Sequence, residues 1–117
     1  MRAIKIDPDK CTVELIDVEP GEVATVLRSE RTETVDFEDD HCLVIDDGGR
    51  SQDHPTRFRF NNGPVWRPFF GPVLILGISS GNWASATLEP GPVSARIIWE
   101  EWDQRKERYA EPVVNLN

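Results

Sequence analysis

The stretch Gly71-Pro72-Val73-Leu74-Ile75-Leu76-Gly77 holds the longest aliphatic run in the chain, and the interpretation of the fold starts from it. Four consecutive aliphatic residues between Gly-Pro and Gly indicate a strand buried on both faces, because the run is too short for a core helix. It is also far shorter than the roughly 20 residues that a membrane span needs. We therefore expect residues 73–78 to form the central strand of a soluble domain.

Shorter strands are predicted on both sides of this run. They cover residues 2–6 and 12–17 (a hairpin around the Asp7-Pro8-Asp9-Lys10 turn), 34–38, 42–45, 57–60, 83–88 and 94–99. A short helix over about residues 19–28 follows the second strand, and residues 100–109 have helix-forming composition. The proline-rich residues 61–72 are interpreted as an ordered apolar loop. The prediction is one α+β domain over residues 1–117, with a small, mainly antiparallel sheet, one or two short helices and a frayed end over about 110–117.

The charge of the chain is acidic and unevenly distributed. With 13 basic and 21 acidic residues among 117, the formal net charge is −8. Residues 30–53 contain nine acidic and two basic groups, whereas residues 54–98 contain one acidic and four basic groups. An acidic surface repels phosphate, so direct binding of nucleic acid is not expected. The N-terminus lacks a signal-peptide pattern, and Cys11 and Cys42 fit reduced thiols, so we expect a cytoplasmic protein without a membrane span.

Three short motifs resemble a family of phage and prophage proteins known only as a domain of unknown function. They are the opening Met1-Arg2-Ala3-Ile4-Lys5-Ile6-Asp7-Pro8, the hairpin sequence Leu43-Val44-Ile45-Asp46-Asp47-Gly48-Gly49, and the central strand quoted above. The resemblance spans about residues 1–78 and departs from the family pattern after Ser79. It implies an α+β fold and a mobile-element context, and it implies no catalytic residue.

The acidic block is the first candidate site. Its carboxylates at Asp36, Glu38, Asp39, Asp40, Asp46 and Asp47 could bind a partner protein by imitating the phosphates of DNA. A second interpretation is a metal or acid–base site that combines some of them with His41, Cys42, Asp53 and His54. The spacing matches no established ligand set, and aspartates at strand turns are typical of a solvated surface. We therefore predict no metal site.

Arginines and aromatic residues form the second candidate site. Arg57, Arg59 and Arg67 lie near Trp66 in sequence, and guanidinium groups with an aromatic plane suit a nucleotide or a short acidic peptide. The alternative is a solvated strand face opposite a core face of Phe58 and Phe60. Separately, a C-terminal set formed by Trp99, Trp102 and Tyr109 could anchor a partner, pack in the core or line a homodimer seam.

The sequence lacks the common motifs of catalysis and of phosphate binding, including a P-loop, Gly-x-Ser-x-Gly and His-Glu-x-x-His. We therefore expect a non-enzymatic protein without a cofactor. The leading hypothesis is a small acidic phage-type protein that binds a host protein and inhibits a host defence factor. The alternatives are a protein that captures a nucleotide signal and, more weakly supported, a metal-dependent hydrolase.

Overall fold

The computed structural model describes residues 1–38, 40–47 and 56–101. Within these ranges the elements follow the order β1 (Arg2–Asp7), β2 (Thr12–Asp17), a 3-10 turn (Pro20–Glu22), α1 (Val23–Val26), β3 (Thr32–Asp36), β4 (His41–Asp46), β5 (Thr56–Asn62), β6 (Val65–Phe70), β7 (Val73–Ser79), β8 (Asn82–Ala84), α2 (Pro90–Ser94) and β9 (Ile97–Glu101). The architecture is broadly α+β, although strands dominate it.

The central strand β7 organises a six-stranded antiparallel sheet, here called the large sheet. Its order is β2-β1-β7-β4-β3, and β8 also pairs with β7. Residues 73–77 of β7 are buried, as the continuous apolar run predicts. Alternate side chains of β7 enter opposite faces of the sheet, so both faces need a cover.

Two different layers cover the large sheet. On one face lies a three-stranded antiparallel sheet with the order β6-β5-β9, here called the small sheet. Phe58, Phe60 and Phe69 of the small sheet share one core cluster with Ile4, Ile6, Leu43 and Ile75 of the large sheet. On the other face, residues 18–27 bury Val18, Val23 and Leu27 against Ala3, Val44, Leu74 and Leu76. Each fully buried aliphatic or aromatic side chain contributes roughly 1.5–3 kcal/mol through the hydrophobic effect.

The segment after β8 passes closely over Gly77 of β7 before the chain returns to the small sheet at β9. A Cβ atom at this position would lie 2.5 Å from the carbonyl oxygen of Ser85, so only glycine fits under the crossing backbone. The buried His41, which pairs with Gly77 in the sheet, accepts a hydrogen bond at Nε2 from the Thr87 backbone N–H at 3.1 Å. These contacts hold the segment that leads to α2 and β9.

The structure confirms the opening hairpin, the helix after the second strand and the central strand. The interpretation of residues 61–72 as a loop was wrong, because residues 65–70 form β6. Pro68 is compatible with a strand there because β6 is at the edge of the small sheet. A second helix exists at Pro90–Ser94, between the strands predicted over 83–88 and 94–99. Of the helix predicted over 100–109, residues 100 and 101 belong to β9, and the rest lies outside the described residues, as does the end predicted to fray. Among the described residues, no helix is long and apolar enough to span a membrane.

Candidate functional site

Strand β5 separates the predicted arginine face from the core. Its side chains alternate, so Phe58 and Phe60 point toward the large sheet and are fully buried. Arg57 and Arg59 therefore lie on the opposite side of the small sheet, which we call the outer face. The prediction from the alternating Arg-Phe-Arg-Phe sequence is confirmed as a strand with one core face.

The two arginines share one carboxylate. Glu100 of β9 is the sheet partner of Arg57, and the Nε atom of Arg57 is 3.0 Å from its Oε1 atom. The Nε atom of Arg59 lies 3.1 Å from the same carboxylate. The Arg57 side chain is 8% exposed and that of Glu100 is 19% exposed, so the centre of this cluster is shielded from water. Two guanidinium groups therefore meet at one carboxylate.

Apolar side chains surround this cluster on the outer face. Trp66 pairs with Asn61, and Ile98 pairs with Arg59, so both are in phase with the arginines. Trp66 is 44% exposed and Ile98 is 49% exposed. Phe70, the partner of Arg57 on β6, holds its ring 5.9 Å from the Arg57 guanidinium carbon. The outer face is therefore an exposed apolar surface with a half-buried ionic centre, formed by Arg57, Arg59, Trp66, Pro68, Phe70, Ile98 and Glu100.

The other predicted arginine does not belong to this face. Arg67 pairs with Phe60, which places it on the side of the small sheet that faces the core, and its guanidinium lies 5.3 Å from the ring centroid of Phe69. Trp99 is also on that side, with its ring centroid 5.8 Å from that of Phe58. The structure thus brings Arg57, Arg59 and Trp66 together and separates Arg67 from them. Trp102 and Tyr109 lie outside the described residues.

The acidic block is divided between the two ends of the β3–β4 hairpin. Asp36, Glu38 and Asp40 are at the turn end and are exposed, whereas Asp46 and Asp47 are at the other end. Asp39 lies outside the described residues.

Several of these carboxylates have partners within the protein. Glu38 forms an ion pair with Arg96, and Asp47 forms one with Arg31 at 2.7 Å. The buried Asp46 accepts a hydrogen bond from the Ser29 hydroxyl at 2.7 Å. The block is therefore two smaller acidic areas in which part of the charge is already compensated.

His41 and Cys42 serve the interior of the large sheet. His41 binds the Thr87 backbone, and Cys42 is fully buried. Burial has the largest effect and raises the pKa of the Cys42 thiol. A backbone hydrogen bond with Leu76 lowers this pKa by less, and the nearby Asp36 carboxylate adds a smaller increase. No group of three or more potential metal ligands occurs in the parts of the chain that the structure describes. Asp53 and His54, which belonged to the metal hypothesis, lie outside them.

A second surface feature joins the two sheets around Arg96, which the sequence did not single out. An open pocket of about 440 Å³ is lined by Phe37, Glu38, Asn61, Asn62, Gly63 and Arg96. The Arg96 guanidinium stacks 5.0 Å from the Phe37 ring centroid and donates to the Asn61 carbonyl at 3.2 Å, in addition to its pair with Glu38. These contacts occupy Arg96 and make it a link between the small sheet and the β3–β4 turn.

Sequence reasoning missed Ile98 and Glu100 as members of the outer face. Their signal was the alternation of β9, in which these two residues flank the half-buried Trp99. Alternation identifies a strand with two different faces, but it does not show that β9 pairs with β5. That pairing is known only from the folded structure. A salt-bridge partner on another strand is not encoded in local periodicity.

The comparisons with known proteins give a family and nothing narrower. Neither a curated protein nor a solved structure matches the chain. The model of a family described as a domain of unknown function, DUF3846, matches residues 1–91 and so covers the large sheet, β5 and β6. With more than three quarters of its length matched, this chain belongs to the DUF3846 family.

Proposed function

We propose that this protein is a non-enzymatic binding protein that holds a partner protein on the outer face of the small sheet. The observation that carries this proposal is the exposure of Trp66 and Ile98 beside the half-buried Arg57–Glu100–Arg59 cluster. Tryptophan and arginine dominate the energetically important residues of protein interfaces. Exposed apolar patches with polar residues around them mark such interfaces on soluble proteins.

The biological setting of the proposal is a phage or prophage protein that acts in the host cytoplasm. In that setting the partner is a host protein, and inhibition of a defence factor is the function that fits a small binding protein without catalytic motifs. Support for this setting comes from the resemblance of the opening strand, the hairpin and the central strand to phage-associated proteins.

The acidic block is the weaker candidate for the partner surface. Its two halves lie at opposite ends of a hairpin, and the carboxylates of Glu38 and Asp47 each pair with an arginine of the same chain. A partner would have to compete with these pairs. Exposed Asp36 and Asp40 retain a role in long-range attraction, which influences the association rate more than the affinity.

Nucleotide capture is the second candidate, because Arg57, Arg59 and Trp66 share one face. A phosphate group would meet guanidinium groups that already bind Glu100, so the carboxylate competes with the ligand. The test is a thermal shift with a panel of mononucleotides and cyclic dinucleotides. Stabilisation that disappears in Arg59→Gln would favour this candidate, and no shift at millimolar concentrations would exclude it.

Partner binding is tested with a matched pair of variants. Trp66→Ser/Ile98→Ser removes the exposed apolar residues of the outer face, and Leu15→Ser removes an equally exposed apolar residue (45%) from β2 of the large sheet. Each protein is expressed in its bacterial host type, purified gently and weighed by native mass spectrometry. We expect a stoichiometric partner with the wild type and with Leu15→Ser, and loss of it with the double variant.

Two results would contradict the proposal. A partner retained equally by the double variant would show that another surface binds it. Loss of the partner in Asp36→Lys/Asp40→Lys, with retention in Trp66→Ser/Ile98→Ser, would assign the interface to the acidic block instead. Circular dichroism and thermal midpoints of all variants confirm that the folded state is preserved.

A further inference from the structure

The outer face presents arginines on a protein whose net charge is −8. Arg57 and Arg59 both contact the Glu100 carboxylate there. The Arg59 side chain is 36% exposed and contacts Glu100 through its Nε atom, so its terminal amino groups form the accessible edge of the cluster. An interface that matches this face in charge presents a carboxylate to Arg59, because carboxylate and guanidinium groups form strong charge-assisted hydrogen bonds.

The size of the outer face limits its occupant. Three strands spaced about 4.8 Å apart and about six residues long give a surface of roughly 15 by 20 Å, or about 300 Å². A stable dimer interface buries about 800 Å² on each partner. A second copy of this chain would also present Arg59 on its own outer face and carry the same overall net charge of −8. The dimensions therefore fit a short peptide segment better than the flat face of a second folded copy.

The apolar residues set the remaining chemistry of the occupant. Trp66 and Ile98 are on opposite edge strands of the small sheet, and the arginines of β5 lie between them. A peptide that crosses the strands would meet an apolar surface, then a cationic one, then a second apolar surface. Its own side chains would be apolar or aromatic on both sides of an acidic residue.

We infer that the outer face recognises a short segment of the partner protein in which an aspartate or glutamate is flanked by apolar or aromatic residues. The acidic side chain binds Arg59, and the flanking residues pack on Trp66 and Ile98. This inference rests on the proposed function, since it specifies the partner at the same surface. Nucleic acid fits this face less well, because Glu100 and the net negative charge of the chain repel a continuous run of phosphates.

The experiment is selection of a displayed library of random 12-residue peptides on the intact, immobilised protein. The wild type, Trp66→Ser/Ile98→Ser and Arg59→Gln are compared by sequencing the retained peptides. We expect the wild type to enrich acidic residues flanked by apolar or aromatic ones, and the double variant to lose these peptides. In Arg59→Gln the preference for the acidic residue disappears, and the affinity of a selected peptide falls at least tenfold, since a hydrogen bond between charged groups is lost.

Each other outcome overturns the inference in a recognisable way. Enrichment of basic or purely apolar peptides that still require Trp66 and Ile98 overturns the acidic chemistry and leaves the proposed function standing. Absence of any peptide that depends on these two residues overturns recognition of a short segment. The native mass spectrometry of the partner complex then decides the proposed function separately. Tight binding of fluorescein-labelled oligothymidine that the double variant loses assigns the face to nucleic acid.

Discussion

Replacing Glu100 by glutamine would remove the carboxylate that Arg57 and Arg59 share on the outer face. The substitution keeps the shape of the side chain and removes its charge. Breaking a buried ion pair by removing one partner costs about 3–5 kcal/mol. The Arg57 side chain is 8% exposed and that of Glu100 is 19% exposed, which places this pair at the lower end of that range. The more exposed Arg59 regains hydration and adds little, so we expect a loss of about 3 kcal/mol in the free energy of unfolding.

Urea denaturation followed by tryptophan fluorescence measures this loss. With a slope of about 1.5 kcal/mol per molar urea, the expected loss lowers the midpoint by about 2 M. The control is Glu89→Gln, because Glu89 also lies 3.0 Å from an arginine, Arg2, but is 68% exposed. That exposed pair contributes about 0.2–1 kcal/mol at most, so its midpoint should fall by less than 0.7 M.

A double variant separates the effect of breaking the ion pair from the effect of lost side-chain packing. In Arg57→Met/Glu100→Met both charges disappear together and apolar side chains of similar length remain, so the midpoint should return close to that of the wild type. A Glu100→Gln midpoint within about 0.3 M of the wild type would contradict a loss of stability caused by the missing charge. This cause would also be refuted if the double variant were as unstable as the single one, because packing and not charge would then explain the loss.

Three further predictions concern the large sheet. Gly77→Ala should destabilise the protein by more than about 2 kcal/mol in the same urea assay, because the added Cβ would lie 2.5 Å from the Ser85 carbonyl oxygen. The control is Gly91→Ala, which has open space around it and should change the midpoint little. A thiol reagent near neutral pH should modify the exposed Cys11 rapidly and Cys42 only after unfolding, and rapid reaction of both in the native protein would contradict the buried position of Cys42. The pKa of Cys42 is raised only in the folded state, so the unfolded thiol ionises first as the pH rises. The free energy of unfolding of the wild type should therefore fall above the ordinary thiol pKa. In Cys42→Ala this decrease should be absent.

Local sequence patterns predicted the strands that have a strong period. The run from Val73 to Leu76 is buried on both sides in the centre of the large sheet, and the alternation around Phe58 and Phe60 gives a strand with one core face. Strand β6 was missed because Pro68 lies within it and Pro64 and Pro72 flank it, and prolines at this density are typical of loops. Its strand geometry depends on pairing with β5, which no residue of β6 encodes by itself.

The candidate site was less predictable because it combines residues that are distant in sequence. Arg59 and Glu100 are 41 residues apart, and their contact requires the crossing at Gly77 and the return of the chain through β9. Proximity in sequence also misled the prediction for Arg67. It is one residue from Trp66, and in a strand this single step places it on the opposite face.

Within the described residues, the layered fold leaves the outer face outside both core clusters, so this face can acquire a function. Both faces of the large sheet are used for packing, one by residues 18–27 and the other by the small sheet. The inner face of the small sheet is used as well, so substitutions there would cost core stability. On the outer face, by contrast, Trp66 and Ile98 are about half exposed and contribute little to the stability of the fold. Core packing therefore does not explain their apolar character.

The family match covers only part of the outer face. The matched residues 1–91 include β5 and β6, which supply the arginines and Trp66, but they end before β9. Ile98 and Glu100, which complete the apolar surface and hold the arginines, come from beyond the matched range. The outer face therefore combines a scaffold common to the family with a strand that the family model does not describe. Because β9 sets both the charge balance and one apolar edge of this face, we expect partner specificity to depend on residues 97–101 and to differ where that strand differs.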